Sequence, residues 1–293
     1  MSINIPNIDN INEVNPVYRD GIAAIFKCTR DGWVELLTGA RPASEENSPT
    51  YEYTPHSSES NLCEMRCTSS DEHVYWDLTD LPKMPQSQPL TAFVFERDLE
   101  GSGAARVPFG VSAMPGNAGW LMSNRDSSFP DDTGFTKIAV IGLRFSNLEA
   151  ANVDTYLCTR LNSDKTVDGY TDEGSQNNSN TSSLNTTSLS RVTIGGYYKS
   201  TSTPNFRNGA RSKIGPYIIV WDRALSADQI TNLAANPSLL KDPTVFNPIQ
   251  IHNWLYGVAA PPPAVTEIPP ALHGLDYQHT VIRASRLGGM LDQ

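Results

Sequence analysis

Charged residues are scarce in this chain of 293 residues, because Asp, Glu, Lys and Arg together make up only 18% of it. Basic residues are the scarcest, since 22 Lys and Arg stand against 32 Asp and Glu and the net charge is -10. An acidic surface disfavours nucleic acids and anionic membranes, so the sequence predicts neither as a partner. Ser, Thr and Asn take the place of charged residues, which is typical of turn-rich β proteins.

Long apolar segments and several familiar motifs are also missing. No run approaches the ~20 apolar residues of a membrane-spanning helix. The start, MSINIPNIDN, lacks the basic and apolar regions of a signal peptide, so we expect synthesis in the cytoplasm without one. The chain has no G-x-S-x-G motif, Walker loop or dinucleotide fingerprint, and it therefore predicts no nucleotide chemistry.

Cysteine is rare, with Cys28, Cys63, Cys67 and Cys158. Four cysteines could form two disulfides in three alternative pairings. Nothing indicates export, and a chain of this length can bury a core without cross-links, so we expect reduced and mostly buried thiols.

One Cys- and His-containing stretch could bind zinc, because these residues are its usual ligands. Cys63 and Cys67 have the spacing C-x3-C, with His56 before them and His73 after them. The alternative is two thiols that alternate with polar residues near a strand. The sequence predicts no required cofactor.

Short apolar segments between turn residues predict strands. They cover residues 21–26, 33–37, 73–77, 91–95, 137–145, 153–158, 191–195 and 214–221. The dipeptide Asp31-Gly32 predicts a turn between the first two. Residues 41–61 are predicted to be a polar loop. Residues 174–190 are predicted to be a long surface loop, because they are too polar to offset their ordering entropy by burial.

One helix is predicted after the last strand. Ser226 is a suitable N-cap, Asp228 favours the first turn, and Ile230 and Leu233 are three residues apart. Asn236-Pro237 ends it. We predict three regions: an extended arm over residues 1–20, a sandwich over 21–247 and a Pro-rich extension over 248–293.

The span from Arg191 to Asn247 resembles the end of concanavalin A-like, laminin-G-like domains. The resemblance rests on Arg191-Val-Thr-Ile-Gly-Gly-Tyr197, on Asp222-Arg-Ala-Leu-Ser226 and on the helix that follows. Gln229 stands where the family usually has Glu. The resemblance implies an all-β, concanavalin A-like (laminin-G-like) two-sheet jelly-roll sandwich, with extended N- and C-terminal arms. Ile218 and Val220 would share one face of the last strand, and Ile230 and Leu233 would seal the end of the sandwich.

In this family context the chain looks like a virion protein of a tailed bacteriophage. The resemblance implies a non-enzymatic structural protein, made in the host cytoplasm and located in the virion, which decorates or cements the capsid. Its partners would be the major capsid protein or a tail component, together with further copies of itself. The alternative is a tail-associated glycan-binding protein for host recognition, and a glycoside hydrolase is the third possibility.

The hydrolase possibility depends on three carboxylates, Glu96, Asp98 and Glu100. On a strand, alternate residues share a face, so all three would point to one side. This pattern is similar to the catalytic strand of one concanavalin A-like glycosidase clan, in which two Glu act as nucleophile and acid/base. Arg97 occupies an apolar position of that pattern and Gly101 follows closely, so the alternative is a solvated loop at a strand exit. We predict that the carboxylates are not catalytic.

Two further sets of residues could bind ligands. Asp131 and Asp132 could bind calcium through hard oxygen ligands, although an Asp pair between Pro and Gly is also typical of a turn. Tryptophans could stack on sugars, although most of them are predicted to pack in the core. The tryptophans are Trp33, Trp76, Trp120, Trp221 and Trp254.

The final segment is apolar and basic in an otherwise acidic chain. The Pro-rich stretch before this segment, which begins near Ala259, would act as a semi-rigid spacer. We predict that this tail docks on a neighbouring protein; the alternative is a disordered tail. The predicted contact residues are Val281, Ile282, Arg283, Arg286, Leu287, Met290 and Leu291.

Overall fold

The structure is a computed structural model that describes a large part of the chain. The described residues are 5–54, 62–68, 72–85, 89–98, 106–113, 119–124, 138–143, 154–164, 166–171, 174–178, 189–196 and 212–243. The chain separates into two units after Pro243, and every described residue belongs to the first. No helix among the described residues is long and apolar enough to cross a membrane.

The described part of the chain is built almost entirely from strands. They are β1 Ile22–Thr29, β2 Gly32–Glu35, β3 Ser44–Glu46, β4 Thr50–Tyr53, β5 Cys63–Arg66, β6 His73–Asp77, β7 Leu90–Asp98, β8 Arg106–Ala113, β9 Gly119–Asn124, β10 Ile138–Leu143, β11 Asp154–Leu161, β12 Val167–Thr171, β13 Gly174–Asn178, β14 Leu189–Ile194 and β15 Ser212–Trp221. The α-helices are α1 Pro16–Arg19 and α2 Ala227–Ala235, and short 3-10 helices cover Ile11–Glu13, Leu78–Asp80 and Pro237–Leu240.

The strands form two sheets, which confirms the predicted two-sheet jelly-roll sandwich. The larger sheet has the order β13-β12-β11-β7-β15-β1-β2, with β5 also paired to β15 and β4 paired to β5. The smaller sheet has the order β10-β9-β8-β14-β6-β3. The pairs are antiparallel except for β9 with β10, which run parallel.

The described residues of the central strands β1, β7 and β15 are buried on both faces of the larger sheet. Ile218 and Val220 of β15 share one face, as predicted, and that face belongs to the core between the sheets together with Phe26 and Trp76. The alternate residues of β15, which include Ile219, belong to a second core on the opposite face. A strand buried on both faces reads as a continuous apolar run, which explains the segment Tyr-Ile-Ile-Val-Trp before the helix.

The second core is covered by the two ends of the described chain. Ile8, Val14 and Tyr18 come from the N-terminal arm, and Ile230 and Leu233 come from α2. The prediction that these α2 residues seal the end of the sandwich was therefore wrong. They cover its outer face, because the larger sheet has a second apolar face that needs a cover.

Polar contacts hold the N-terminal arm on this face. The Ile8 N–H donates to Tyr217 Oη at 2.8 Å, and Trp221 Nε1 donates to the Tyr18 carbonyl at 2.6 Å. Lys27 is 3% exposed, and its Nζ donates to Asn7 Oδ1 at 2.6 Å and pairs with an Asp9 carboxylate oxygen at 2.6 Å. The arm is thus part of the packed body over the described residues 5–20.

The segment Asp222–Ser226 joins the arm, the sheet and the helix. Arg223 donates to the carbonyls of Asp20 and Val17 at 2.8 and 3.0 Å. Ser226 caps α2 and forms a complete capping box with Gln229, so the helix and its cap are confirmed. Gln in place of Glu still accepts from the N-cap N–H, which is all that the capping box requires.

Both predicted polar loops contain strands. Residues 41–61 contribute β3 and β4, which pair with β6 and β5. Residues 174–190 contribute β13, which pairs with β12, and the start of β14. The loop predictions were wrong at these positions because pairing with a neighbouring strand satisfies the backbone of a polar segment without burying its side chains.

Two glycines allow a matched test of how tightly the arm is packed. Gly21 has φ +72° and a Cβ there would lie 2.7 Å from Asp222 Oδ1, whereas Gly39 has φ +75° and open space around it. Both Ala variants suffer left-handed backbone strain of about 1–2 kcal/mol, but only Gly21→Ala must also displace Asp222 and Arg223. We expect Gly21→Ala to lower the melting temperature more than Gly39→Ala does. Equal shifts in thermal unfolding would contradict the described contact.

Candidate binding rim at the β1–β2 turn and β4

The structure separates core aromatics from those that a ligand can reach. Trp33, Trp76 and Trp221 are fully buried, which confirms the predicted core role for these three. Trp120 lies in β9, but its side chain is outside the described part, and Trp254 lies outside it altogether. Among the described side chains, the exposed aromatic is Tyr53, at 56%.

The carboxylate motif lies partly on a strand. β7 runs as far as Asp98, where Glu96 pairs with Thr155 and Ile214 and Asp98 pairs with Ser212. The strand therefore ends within the motif, because pairing with β11 extends to Arg97 and pairing with β15 extends to Asp98. Glu100 lies outside the described residues.

The other predicted ligand residues are not brought together among the described residues. Cys63 begins β5 and His73 begins β6, while His56 is outside the described part. Within that part, no group of three or more His, Cys, Asp and Glu converges to hold a metal ion. The calcium pair Asp131 and Asp132 and all the predicted tail contacts, residues 281–291, lie outside it.

All four cysteines are buried thiols. Burial raises the pKa of Cys28 well above its ordinary value, and it also raises the pKa of Cys158. A buried thiol with a raised pKa holds little thiolate, the form that attacks or binds metals. These two thiols therefore pack as core residues.

Tyr53 of β4 lies beside the turn between β1 and β2, and this turn together with β4 is called the rim below. Arg30 and Asp31 form that turn, as the sequence predicts for Asp31-Gly32, and Gly32 has φ +93°. Arg30 Nη1 donates to Tyr53 Oη at 3.3 Å, and Arg30 Cζ lies 5.9 Å from the ring centroid. The guanidinium thus holds the ring in place while more than half of Tyr53 stays exposed.

The strand that carries Tyr53 is held by its neighbour β5 and by β15 beyond it. Glu52 pairs with Arg66 of β5 at 2.9 Å and with Lys213 of β15. The hydrogen bond from Lys213, followed by that from Arg66, lowers the pKa of Glu52 despite its partial burial. Thr54 also donates to the buried Glu64 carboxylate at 2.8 Å. Tyr53 therefore projects from a well-supported hairpin.

A second polar and aromatic group lies on the smaller sheet and has a different character. Arg191 Cζ lies 3.9 Å from the centroid of the Tyr75 ring, and Arg191 Nε is 3.6 Å from Asp77 Oδ1. The guanidinium therefore covers a face of the half-buried Tyr75. This arrangement supports the β6–β14 pair and leaves that face of the ring unavailable for stacking.

Sequence reasoning did not single out Tyr53 or Arg30. The alternation Thr-Tyr-Glu-Tyr-Thr over residues 50–54 was a usable signal, because a period of two indicates a half-buried strand. Its short length inside a polar segment favoured a loop instead.

Comparisons with known proteins agree with this architecture. No family model matches the chain, and no curated protein matches it. Among solved structures, the binding domain of botulinum neurotoxin DC in complex with rat synaptotagmin II matches with a TM-score of 0.50 and 10% identity, over 75% of this chain and 52% of that one. This likeness shows the β-sandwich fold alone.

Other solved structures match more weakly. A Trypanosoma rangeli sialidase matches with a TM-score of 0.48 and 14% identity, over 82% of this chain and 37% of that one. Domain 4 of an extracellular arabinanase from Geobacillus stearothermophilus matches with a TM-score of 0.45 and 15% identity, over 73% of this chain and 98% of that one. The chain spans about half the length of the toxin binding domains that it matches.

Proposed function

We propose that this chain is a non-enzymatic structural protein of a bacteriophage virion, which decorates or cements the capsid. The observation that supports this proposal best is how the described part of the chain covers its own sheet. Both faces of the central strands β1, β7 and β15 are covered by residues that precede Pro243, including the arm and α2. We propose that the last 50 residues instead serve to bind neighbours.

The tail has the chemistry of an anchor. Val281, Ile282, Leu287, Met290 and Leu291 are sizeable apolar residues within eleven positions. Full burial of each is worth ~1.5–3 kcal/mol, so a tail in water would leave that free energy unused. Two arginines in the same segment complement acidic neighbours, and the protein itself carries a net charge of -10. Docking would follow by strand addition or by insertion into a groove.

Deletion of residues 272–293 tests the anchor. We expect the truncated protein to remain soluble and folded, with the same far-UV circular dichroism and melting temperature, because the described cores are intact. It should no longer incorporate into particles, measured by its abundance in purified virions. A matched control replaces only Arg283 and Arg286 by Gln and should weaken incorporation less. Normal incorporation of the truncated protein would rule the anchor out.

The non-enzymatic part of the proposal has its own test. We expect no turnover of bacterial surface polysaccharides by the wild-type protein, measured as release of reducing ends, and no change in Glu96→Gln. Turnover that disappears in Glu96→Gln would instead establish the glycosidase alternative. Gln is the suitable replacement because Glu96 lies within the β7 ladder, where Pro would remove a backbone hydrogen-bond donor.

Glycan recognition is the second candidate, and exposed Tyr53 favours it. Carbohydrate binding commonly needs an aromatic ring beside polar groups on a rigid support. Tyr53 lies beside Arg30 and next to the turn that contains Asp31. Retention of the protein on polysaccharides from host cells, reduced by Tyr53→Ala, would support this function. Such binding is compatible with a place in the virion.

A further inference from the structure

Two large apolar side chains are exposed among the described ones, and only one has a polar partner suited to a ligand. Val17 and Tyr53 are each 56% exposed. A single exposed aliphatic residue such as Val17 needs no functional explanation. Tyr53 differs because the Arg30 guanidinium contacts it, with a hydrogen bond to Tyr53 Oη at 3.3 Å and Cζ at 5.9 Å from the ring centroid.

Arg30 has donor groups to spare. A guanidinium carries five N–H donors in a planar fork. In the described part of the chain, Arg30 donates one hydrogen bond, to Tyr53 Oη, and it forms no ion pair. The two neighbouring cations differ, because Arg66 and Lys213 both pair with Glu52. Arg30 is therefore the cation of this rim that lacks a carboxylate partner among the described residues.

We infer that Tyr53 and Arg30 form a subsite for a saccharide that carries a carboxylate. The apolar face of the sugar ring stacks on the exposed face of Tyr53. The carboxylate accepts two parallel hydrogen bonds from the free edge of the Arg30 guanidinium, which fits carboxylates bidentately. An unpaired cation beside an exposed ring selects an anionic ligand over a neutral one, and its local attraction must exceed the repulsion from the net charge of -10. This inference rests on the glycan-recognition candidate.

The subsite is formed before ligand binding. Arg30 and Tyr53 are already in contact, and the β4–β5 hairpin is fixed by Glu52 with Arg66 and by Thr54 with Glu64. The backbone of the subsite is therefore already in place, which lowers the ordering cost of binding.

Binding to immobilised polysaccharides tests the subsite. The carboxylated probes are polygalacturonate, alginate, hyaluronan and polysialic acid, and the neutral probes are dextran and galactan. We expect the full chain to bind at least one carboxylated probe. Arg30→Gln should lower that affinity about tenfold or more, because a hydrogen bond to a charged group is lost. Tyr53→Ala should abolish binding, and Tyr53→Phe should weaken it less, because the ring remains while the hydrogen bond from Arg30 is lost. The exposed-site control Val17→Ala should leave binding unchanged.

The outcomes separate this inference from the function on which it rests. Binding to neutral probes alone would overturn the carboxylate subsite and leave glycan recognition standing. Binding that neither Tyr53→Ala nor Arg30→Gln alters would place recognition elsewhere and overturn the subsite. No binding to any of the six probes would overturn the subsite, while normal incorporation into virions would show that the structural role is independent of it. Circular dichroism and thermal unfolding establish that each variant is folded.

Discussion

Deletion of residues 2–18 should prevent the protein from folding into a soluble body. Ile5, Ile8 and Val14 are at most 2% exposed, and full burial of each such side chain is worth ~1.5–3 kcal/mol. Their joint loss, about 5–9 kcal/mol, is comparable to the 5–15 kcal/mol by which a typical domain is stable. The deletion would also uncover Phe93 and Trp221 on the outer face of the larger sheet. We expect insoluble protein on expression, measured by fractionation of the lysate.

Two controls distinguish packing from simple truncation. Deletion of residues 2–4 removes none of the described residues and should leave a soluble, cooperatively unfolding protein. Val17→Ala changes an exposed residue of the same arm and should alter stability within about 0.5 kcal/mol. A soluble 2–18 deletion with an unchanged melting temperature would show that the arm is an optional attachment.

Phe26→Ala should cause a large loss of stability in the core between the sheets. Phe26 is fully buried, with its ring centroid 4.8 Å from that of Trp76 and 5.7 Å from that of Phe109. Truncation of a buried Phe to Ala removes burial and leaves a cavity, at a cost of about 3–5 kcal/mol. We expect that loss in the free energy of unfolding, measured by urea denaturation with unchanged m-value.

Two further variants serve as controls for Phe26→Ala. Phe26→Leu retains much of the volume and should cost clearly less than Phe26→Ala. Tyr53→Ala removes an aromatic ring from the exposed rim and should change stability little. If Phe26→Ala and Tyr53→Ala had similar effects, the core between the sheets would not be packed as described.

The elements that the sequence predicted correctly are those that are stabilised by interactions between residues close together in the chain. The helix after Ser226 was predicted with its cap and its end, because the N-cap, the first turn and the apolar spacing all lie within about ten residues. The strands with apolar runs, such as residues 91–95 and 214–221, were predicted for a similar reason. The two-sheet architecture followed from these strands together with the family resemblance.

Polar strands were not predicted, since their stability does not come from their own residues. β13 is the segment Gly174–Asn178, and its own residues give no apolar alternation. It is a strand because Val167–Thr171 lies beside it and pairs with its backbone. A pairing partner elsewhere in the chain leaves no signal in the segment itself.

The sequence by itself determined the β class, the capped helix and the apolar character of the last strand. Only the tertiary structure decided which residues cover the second face of the larger sheet. An apolar run such as residues 217–221 indicates that the strand is buried on both faces, but it does not indicate which residues bury it. It also brought Arg30 to Tyr53, 23 positions away. That contact depends on β1 and β5 both pairing with β15, at different positions along it. Strand pairing joins residues that are distant in sequence, and it depends on the burial and hydrogen bonding of the whole sheet. The sequence around either residue therefore could not predict that the two form one rim.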